Sequence, residues 1–178
     1  LLSAAMALSL TACGSGTKGG QSSALSGSGG QDGETIAKEL IVLAGADAST
    51  FDPHFCTDSA TEIFNKNIYN GLVRFNPDME IMPDLAKSWT VSEDGLTWTF
   101  QLRNDVVFHD GSKFNAEAVK ITLERILNPD VGSPVRSSLE PIVKVEVLDE
   151  YTVALSTEAP NGSMLQRLAG PAAFIISP

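Results

Sequence analysis

Lysine and arginine are scarce in this chain. Twelve of them stand against 22 Asp and Glu, a formal charge of -10 over 178 residues. Neutralising a phosphate backbone needs clustered Lys and Arg, so nucleic acid is excluded as a partner. Cysteine is scarcer still: Cys13 and Cys56 are the only two, too few for a disulfide framework. Asp52, His54, Cys56 and Asp58 alternate, and in an extended segment they would share one side. A His-x-Cys pair can take zinc or nickel, but a structural zinc site draws on four ligands, and there is no second Cys/His pair. No metal site is therefore assigned, and no cofactor. The Gly-rich stretch Gly14–Gly33 lacks the Lys-Ser/Thr and flanking strand of a phosphate loop, which excludes nucleotide binding. His109 and Asp110 adjoin on a turn, where adjacent residues cannot form a triad, and no Ser or Cys occupies a nucleophile elbow. The chain reads as a non-enzyme. It also has no internal repeat.

What is present is organised around Pro83–Leu127. Leu96, Trp98, Phe100 and Leu102 alternate with Thr97, Thr99 and Gln101, the period of a strand with one apolar face. Asp94-Gly95 supplies a turn and Trp89-Thr90-Val91 the partner strand, which makes a hairpin. Asn115 then caps a helix whose Val119, Leu123, Ile126 and Leu127 fall at helical spacing, ended by Asn128-Pro129. The tryptophans are assigned to the core.

Earlier in the chain, Glu39–Ala44 is a continuous apolar run, read as a strand buried on both faces. Phe51-Asp52-Pro53 is predicted extended. Ser59 and Glu62 form a capping-box pattern, with Ile63, Phe64, Asn67 and Ile68 on one helical face and Gly71 as the stop. Leu72–Phe75 is a short strand; Asp84 reads as a helix cap. Later, Ile142–Leu148 and Tyr151–Ser156 make a second hairpin across Asp149-Glu150. A short helix follows from Asn161, stopped by Gly170, and Ala172–Ile176 reads as an apolar strand returning beside the one at Leu40. The elements do not alternate as βαβ units, so the predicted class is α+β, a mixed sheet with helices.

At the N-terminus, Leu10-Thr11-Ala12-Cys13 follows an apolar run too short to span a bilayer as a permanent helix and resembles a lipobox. Residues 1–12 are read as part of a lipoprotein signal peptide and Cys13 as the lipidated residue, which leaves Cys56 as the one free thiol. Residues 13–37, rich in Gly and Ser, are read as a tether. A Gly-rich chain of this length reaches roughly 25 Å.

The run Ala86, Asp94, Thr97-Trp98, Phe100, Leu102-Arg103, Asp105-Val106 and Phe108–Gly111 resembles the signature of the family 5 extracellular solute-binding proteins. Phe51–His54, Tyr69–Val73 and Pro83–Trp89 resemble further pieces of it. The resemblance covers about Leu40 to Pro178. It implies the N-terminal part of a two-lobed periplasmic-binding-protein-like fold, with the far lobe supplied by chain beyond Pro178. Residues 38–69 would belong to the ligand-binding lobe, 70–167 to a structural sheet-and-helix subdomain, and 168–178 to the return into that lobe. It further implies a monomeric receptor, lipid-anchored on the extracellular face of the bacterial cell membrane, or periplasmic where there is an outer membrane. The receptor would deliver a small solute, a short peptide foremost, to an ABC permease. Nickel, a metal chelate or heme are the alternatives within the fold; an adhesin, chaperone or signalling lipoprotein is the alternative outside transport. By the same resemblance, the loop Phe55, Cys56, Thr57 and Asp58 contacts ligand, and His54 orients that loop.

Overall fold

A computed structural model describes residues 45–178. The predictions that fall earlier, the signal segment, Cys13, the tether and the strand at Glu39–Ala44, lie outside the described residues.

Strand β1 (Val73–Phe75) pairs with β2 (Ile81–Pro83) as a small antiparallel ribbon. Four further strands form one sheet in the order β3-β4-β6-β5: β3 (Ala86–Val91), β4 (Thr97–Leu102), β5 (Ile142–Asp149) and β6 (Thr152–Thr157). Both predicted hairpins are there, at β3–β4 and β5–β6, and β4–β6 joins them; every pairing described is antiparallel. The first turn works as its residues dictate. Gly95 sits at φ 72°, where a side chain would be strained, and the Asp94 carboxylate accepts the Leu96 amide at 3.0 Å.

Among the described residues, three α-helices accompany the strands: α1 (Ser59–Asn65), α2 (Ala116–Leu127) and α3 (Met164–Leu168). Asn115 caps α2 as predicted, its side-chain oxygen accepting the Ala118 amide at 3.0 Å. The Val119, Leu123 and Ile126 stripe is fully buried, packed with Phe100, Leu102, Val153 and Leu155 from the sheet. Each such side chain contributes about 1.5–3 kcal/mol when withdrawn from water. Trp98 is buried and Trp89 lies half-buried with its ring 6.4 Å from that of Phe100, so both belong to the core. Among the described residues, no helix is long and apolar enough to cross a membrane.

Five local expectations give way. The cap of α1 is Asp58 rather than Ser59: its carboxylate accepts the Thr61 amide at 2.8 Å and the Ser49 hydroxyl at 2.6 Å. A carboxylate is the stronger acceptor, and Ser49 holds it in place. The same helix buries Thr61 and Asn65, while Ile63 stays 56 % exposed, so the apolar face read from the sequence is not its packed face. Gly71 does not stop α1, which ends at Asn65. It is instead a point of close approach: a Cβ there would lie 3.0 Å from the carbonyl oxygens of both Leu168 and Val73. Asp84 caps no helix; its carboxylate accepts the Asn70 side-chain Nδ2 at 3.0 Å. Finally, the strand expected at Ala172–Ile176 is a 3-10 turn, Pro171–Ala173, followed by extended chain. Pro171 sets the turn, and a backbone bond from Ile175 to the Asn70 carbonyl (2.9 Å) fixes the tail.

Candidate functional site

The segment from Phe51 to Asp58 is built from its own sequence upward. Asp52 is extended, as the following proline requires, and Pro53 opens a 3-10 turn, Pro53–Phe55. The Asp52 carboxylate accepts the His54 amide at 3.0 Å and so closes that turn. The turn breaks the alternation that would have put Asp52, His54, Cys56 and Asp58 on one side. His54 is fully buried, whereas Cys56 is half-exposed with its Sγ 3.5 Å from the Asp58 carbonyl. Among the described residues, no group of three or more His, Cys, Asp or Glu is arranged to hold a metal ion.

A cation from elsewhere in the chain organises the segment. Arg125, in the last turn of α2, donates through Nη2 to Asp52 Oδ2 at 2.6 Å and through Nη1 to Asp52 Oδ1 at 3.3 Å. Nη1 also meets His54 Nδ1, and the guanidinium lies 5.6 Å from the centre of the Phe55 ring. On its other side, His54 Nε2 meets the Phe174 carbonyl at 2.9 Å. The His54 carbonyl accepts the Ser133 hydroxyl at 2.7 Å. Burial pushes the His54 imidazole below its ordinary value; the Phe174 carbonyl pulls the other way, the Arg125 charge reinforces the drop, and the Asp52 charge opposes it. Burial alone would raise Asp52, but the hydrogen bonds from Arg125 and from the His54 amide, with the Arg125 charge, hold it below the usual carboxylate value.

Beside this segment lies a cavity of about 560 Å³. Leu85, Phe114 and Ile175 are its buried apolar lining; Phe51, Ile68 and Val107 line it from more exposed positions. Asp52, Asn70, His109, Asp110 and Ser177 supply its polar groups, and no Lys or Arg is among the described residues that line it. Asp110 accepts from the Ser112 hydroxyl at 2.6 Å, from the Ser112 amide at 2.8 Å, and from the Ser177 hydroxyl. Those bonds, the Ser112 hydroxyl first, draw its pKa down to about 2, so it is a fixed negative charge on the rim. The volume falls in the range of small-molecule sites, and an apolar lining with carboxylates suits an uncharged or cationic group.

The four residues expected to touch ligand sit just past that lining. Phe55 is 38 % exposed beside Arg125, Thr57 is exposed, and Asp58 is occupied as the cap of α1. Cys56 faces a second cavity, of about 470 Å³, with Ser138, Ser163 and Arg167. His54 holds its loop through both ring nitrogens. Sequence reasoning missed Arg125, whose partner Asp52 is 73 positions away. The sequence offers only an indirect signal: Ala118 and Thr122, small or uncharged residues beside the apolar stripe, mark a second packed side of α2, on which Arg125 also falls. Thr122 indeed meets the backbone of Ile176 at 3.3 Å.

Comparison with known proteins gives concordant results. The family described as bacterial extracellular solute-binding proteins, family 5 Middle, matches residues 80–177. The glutathione-binding protein GsiB of Pectobacterium atrosepticum is 39 % identical over 142 residues, which cover 80 % of this chain and 28 % of that protein. Among solved structures, the binding protein AgaA of A. tumefacien R10, in complex with agropinic acid, superposes with a TM-score of 0.69 at 37 % identity. That match covers 73 % of this chain and 26 % of AgaA. The periplasmic binding protein DppA of Helicobacter pylori, in complex with the peptide STSA, gives 0.66 at 32 % identity, over 75 % of this chain and 30 % of DppA. The chain thus spans little more than a quarter of the length of the curated relatives it matches.

Proposed function

The chain belongs to the bacterial extracellular solute-binding proteins of family 5, and we propose that it forms part of a two-lobed receptor that captures a small solute for an ABC permease. The match to that family over residues 80–177 is the observation that carries this reading. The solute we propose is a short peptide. GsiB is named for glutathione, itself a tripeptide, and the DppA structure holds a peptide, which supports that class. A receptor of this kind makes and breaks no bond. Ligand touching both lobes favours the closed state by differential affinity, and the permease reads that state. Peptide receptors tolerate varied side chains by hydrogen-bonding the extended backbone.

Within this reading, residues 38–69 and 168–178 belong to the ligand-binding lobe and 70–167 to the structural subdomain. Phe55, Cys56, Thr57 and Asp58 form a lip at which ligand is met. The exposure of Phe55 and Thr57 supports this, and so does the neighbouring cavity, whose rim offers the Asp110 carboxylate to a peptide's amino group. Cys13 carries the lipid, 13–37 is the tether, and the protein works as a monomer outside the cytoplasm. Mass spectrometry of the mature N-terminus tests the anchor: a diacylated or triacylated Cys13 is expected, and an unmodified Cys13 contradicts it.

The function is tested by thermal melting of the full-length protein with glutathione, di- and tripeptides, and nickel with histidine. A true ligand at a hundred times its Kd stabilises by about 2.7 kcal/mol. A shift with peptides alone is expected; a shift with nickel alone replaces the peptide with a metal chelate. If none of these moves the melting temperature, a non-transport role takes the place of the receptor.

A further inference from the structure

The buried contacts of His54 are complementary to one protonation state. Nε2 faces a carbonyl, that of Phe174, which can only accept; Nδ1 faces the Arg125 guanidinium, which can only donate. Both demands are met by the neutral ring with its proton on Nε2. A second proton on Nδ1 would point at a cation that has no lone pair to receive it. The ring is fully buried, so it cannot turn to water without opening the packing around it.

These contacts join three parts of the chain. The 3-10 turn contributes Asp52 and His54, α2 contributes Arg125, and the C-terminal segment contributes Phe174. Ser133, just past α2, adds its hydroxyl on the His54 carbonyl. The charged and titratable groups near the ring are Asp52 on its own turn and Arg125 on α2; Tyr69 stands further off, bonded to the Phe51 carbonyl and stacked on Phe174.

We infer that Arg125 is a positioning residue for the Phe55–Asp58 loop and that His54 makes its hold dependent on protonation. Above the ordinary imidazole range, Arg125 bridges Asp52 and the neutral His54, and the loop is fixed against α2 and the C-terminal segment. Protonation of His54 sets two cations face to face, and the loop is released. The sign follows from the depressed value of His54: the neutral form is favoured in the folded protein, so the contribution is full above pH about 6.5. It falls as pH drops from there toward the folded-state value. Asp52 titrates in a separate, lower window, below its usual 3.8. The consequence for ligand rests on the receptor reading above; the latch itself does not.

Hydrogen exchange by mass spectrometry on the full-length protein tests the latch, with rates corrected for the intrinsic effect of pH. Protection of residues 51–58 is expected to fall by roughly tenfold between pH 7 and pH 5, the size of a lost charge-assisted contact. His54→Gln keeps a donor for the Phe174 carbonyl but cannot titrate, so its profile is expected to be flat. Arg125→Met is expected to lose protection at both pH values, with far-UV circular dichroism showing that it folds. A flat wild-type profile, or His54→Gln following the wild type, overturns the proposal whether or not the arginine variant folds. Arg125→Met as protected as wild type overturns it too. Trialanine affinity, measured alongside, is expected to weaken over the same pH interval in the wild type only. Absence of trialanine binding at every pH counts against the peptide-receptor reading, while the exchange profiles still decide the latch.

Discussion

Replacing Gly71 with alanine adds one methyl group where two backbone carbonyls converge. Its Cβ would stand 3.0 Å from the oxygens of Leu168 and Val73, with Ala173 O at 3.9 Å. None of these is the free end of a side chain. Leu168 closes α3, Val73 opens β1, and the Gly71 carbonyl accepts the Leu85 amide at 3.1 Å, so room can come only from parting α3 and β1. Overpacking of this kind costs about 1–3 kcal/mol. The smaller entropy of the unfolded alanine chain returns roughly 0.4–1 kcal/mol. The net expectation is a loss of about 1–2 kcal/mol, which at a urea slope near 2 kcal/mol per molar moves the midpoint down by roughly 0.5–1 M. Gly162 is the internal control. Nothing lies within 4 Å of its Cβ position and its φ is not positive, so Gly162→Ala is expected to raise the midpoint slightly. Urea unfolding followed by tryptophan fluorescence reads both. If Gly71→Ala is neutral or stabilising, or falls together with Gly162→Ala, the close approach between α3 and β1 is wrong. The cavity wall at Asn70 and Ile175, tied by the backbone bond next to Gly71, is then wrong with it.

Three further outcomes follow from the same packing. Phe100→Ala empties the centre of β4 between Trp89 and the β6 side chain of Val153, and should cost about 3–5 kcal/mol in urea unfolding; a loss below 1 kcal/mol would contradict its placement. Asn115→Ala removes the cap of α2 and should cost about 1 kcal/mol, while Asn115→Asp retains it; equal losses in the two would refute the capping role. Asp110 should titrate near pH 2 by carboxyl NMR, its contribution present above the usual 3.8 and lost as pH falls through about 2. Ser112→Ala should raise that midpoint more than Ser177→Ala, and an unperturbed midpoint in the wild type would mean that the Asp110 bonds are absent in solution.

The parts of this chain that could be read from sequence are those fixed by neighbours in sequence. Leu96–Leu102 alternates because one face of β4 is buried, and Trp98, Phe100 and Leu102 are the residues that period selects. Asn115 and the Val119 stripe specify α2 in the same local way. What escaped reading is set by contacts distant in sequence. The packed face of α1 is Thr61 and Asn65, and Thr61 there accepts the Ser49 amide (2.8 Å) from twelve positions earlier, a contact that hydrophobicity does not mark. Asp52 and Arg125 meet only because α2 and the turn are brought together, and no periodicity announces a pair 73 positions apart. The tail at Ala172–Ile176 has strand composition, yet Pro171 and the Asn70 carbonyl hold it as a turn and an extended arm. At the candidate site, the reading of Phe55–Asp58 as a ligand contact rests on family resemblance alone, and the Arg125 contacts to Asp52 and His54 had no counterpart in that reading.

Isothermal titration of the full-length protein with short peptides asks whether a solute is held and left intact. Saturable binding at one site per chain is expected, with the peptide recovered unchanged from the complex. Peptide cleaved on incubation, or no heat of binding with any peptide, nickel or nickel chelate, would contradict the receptor reading.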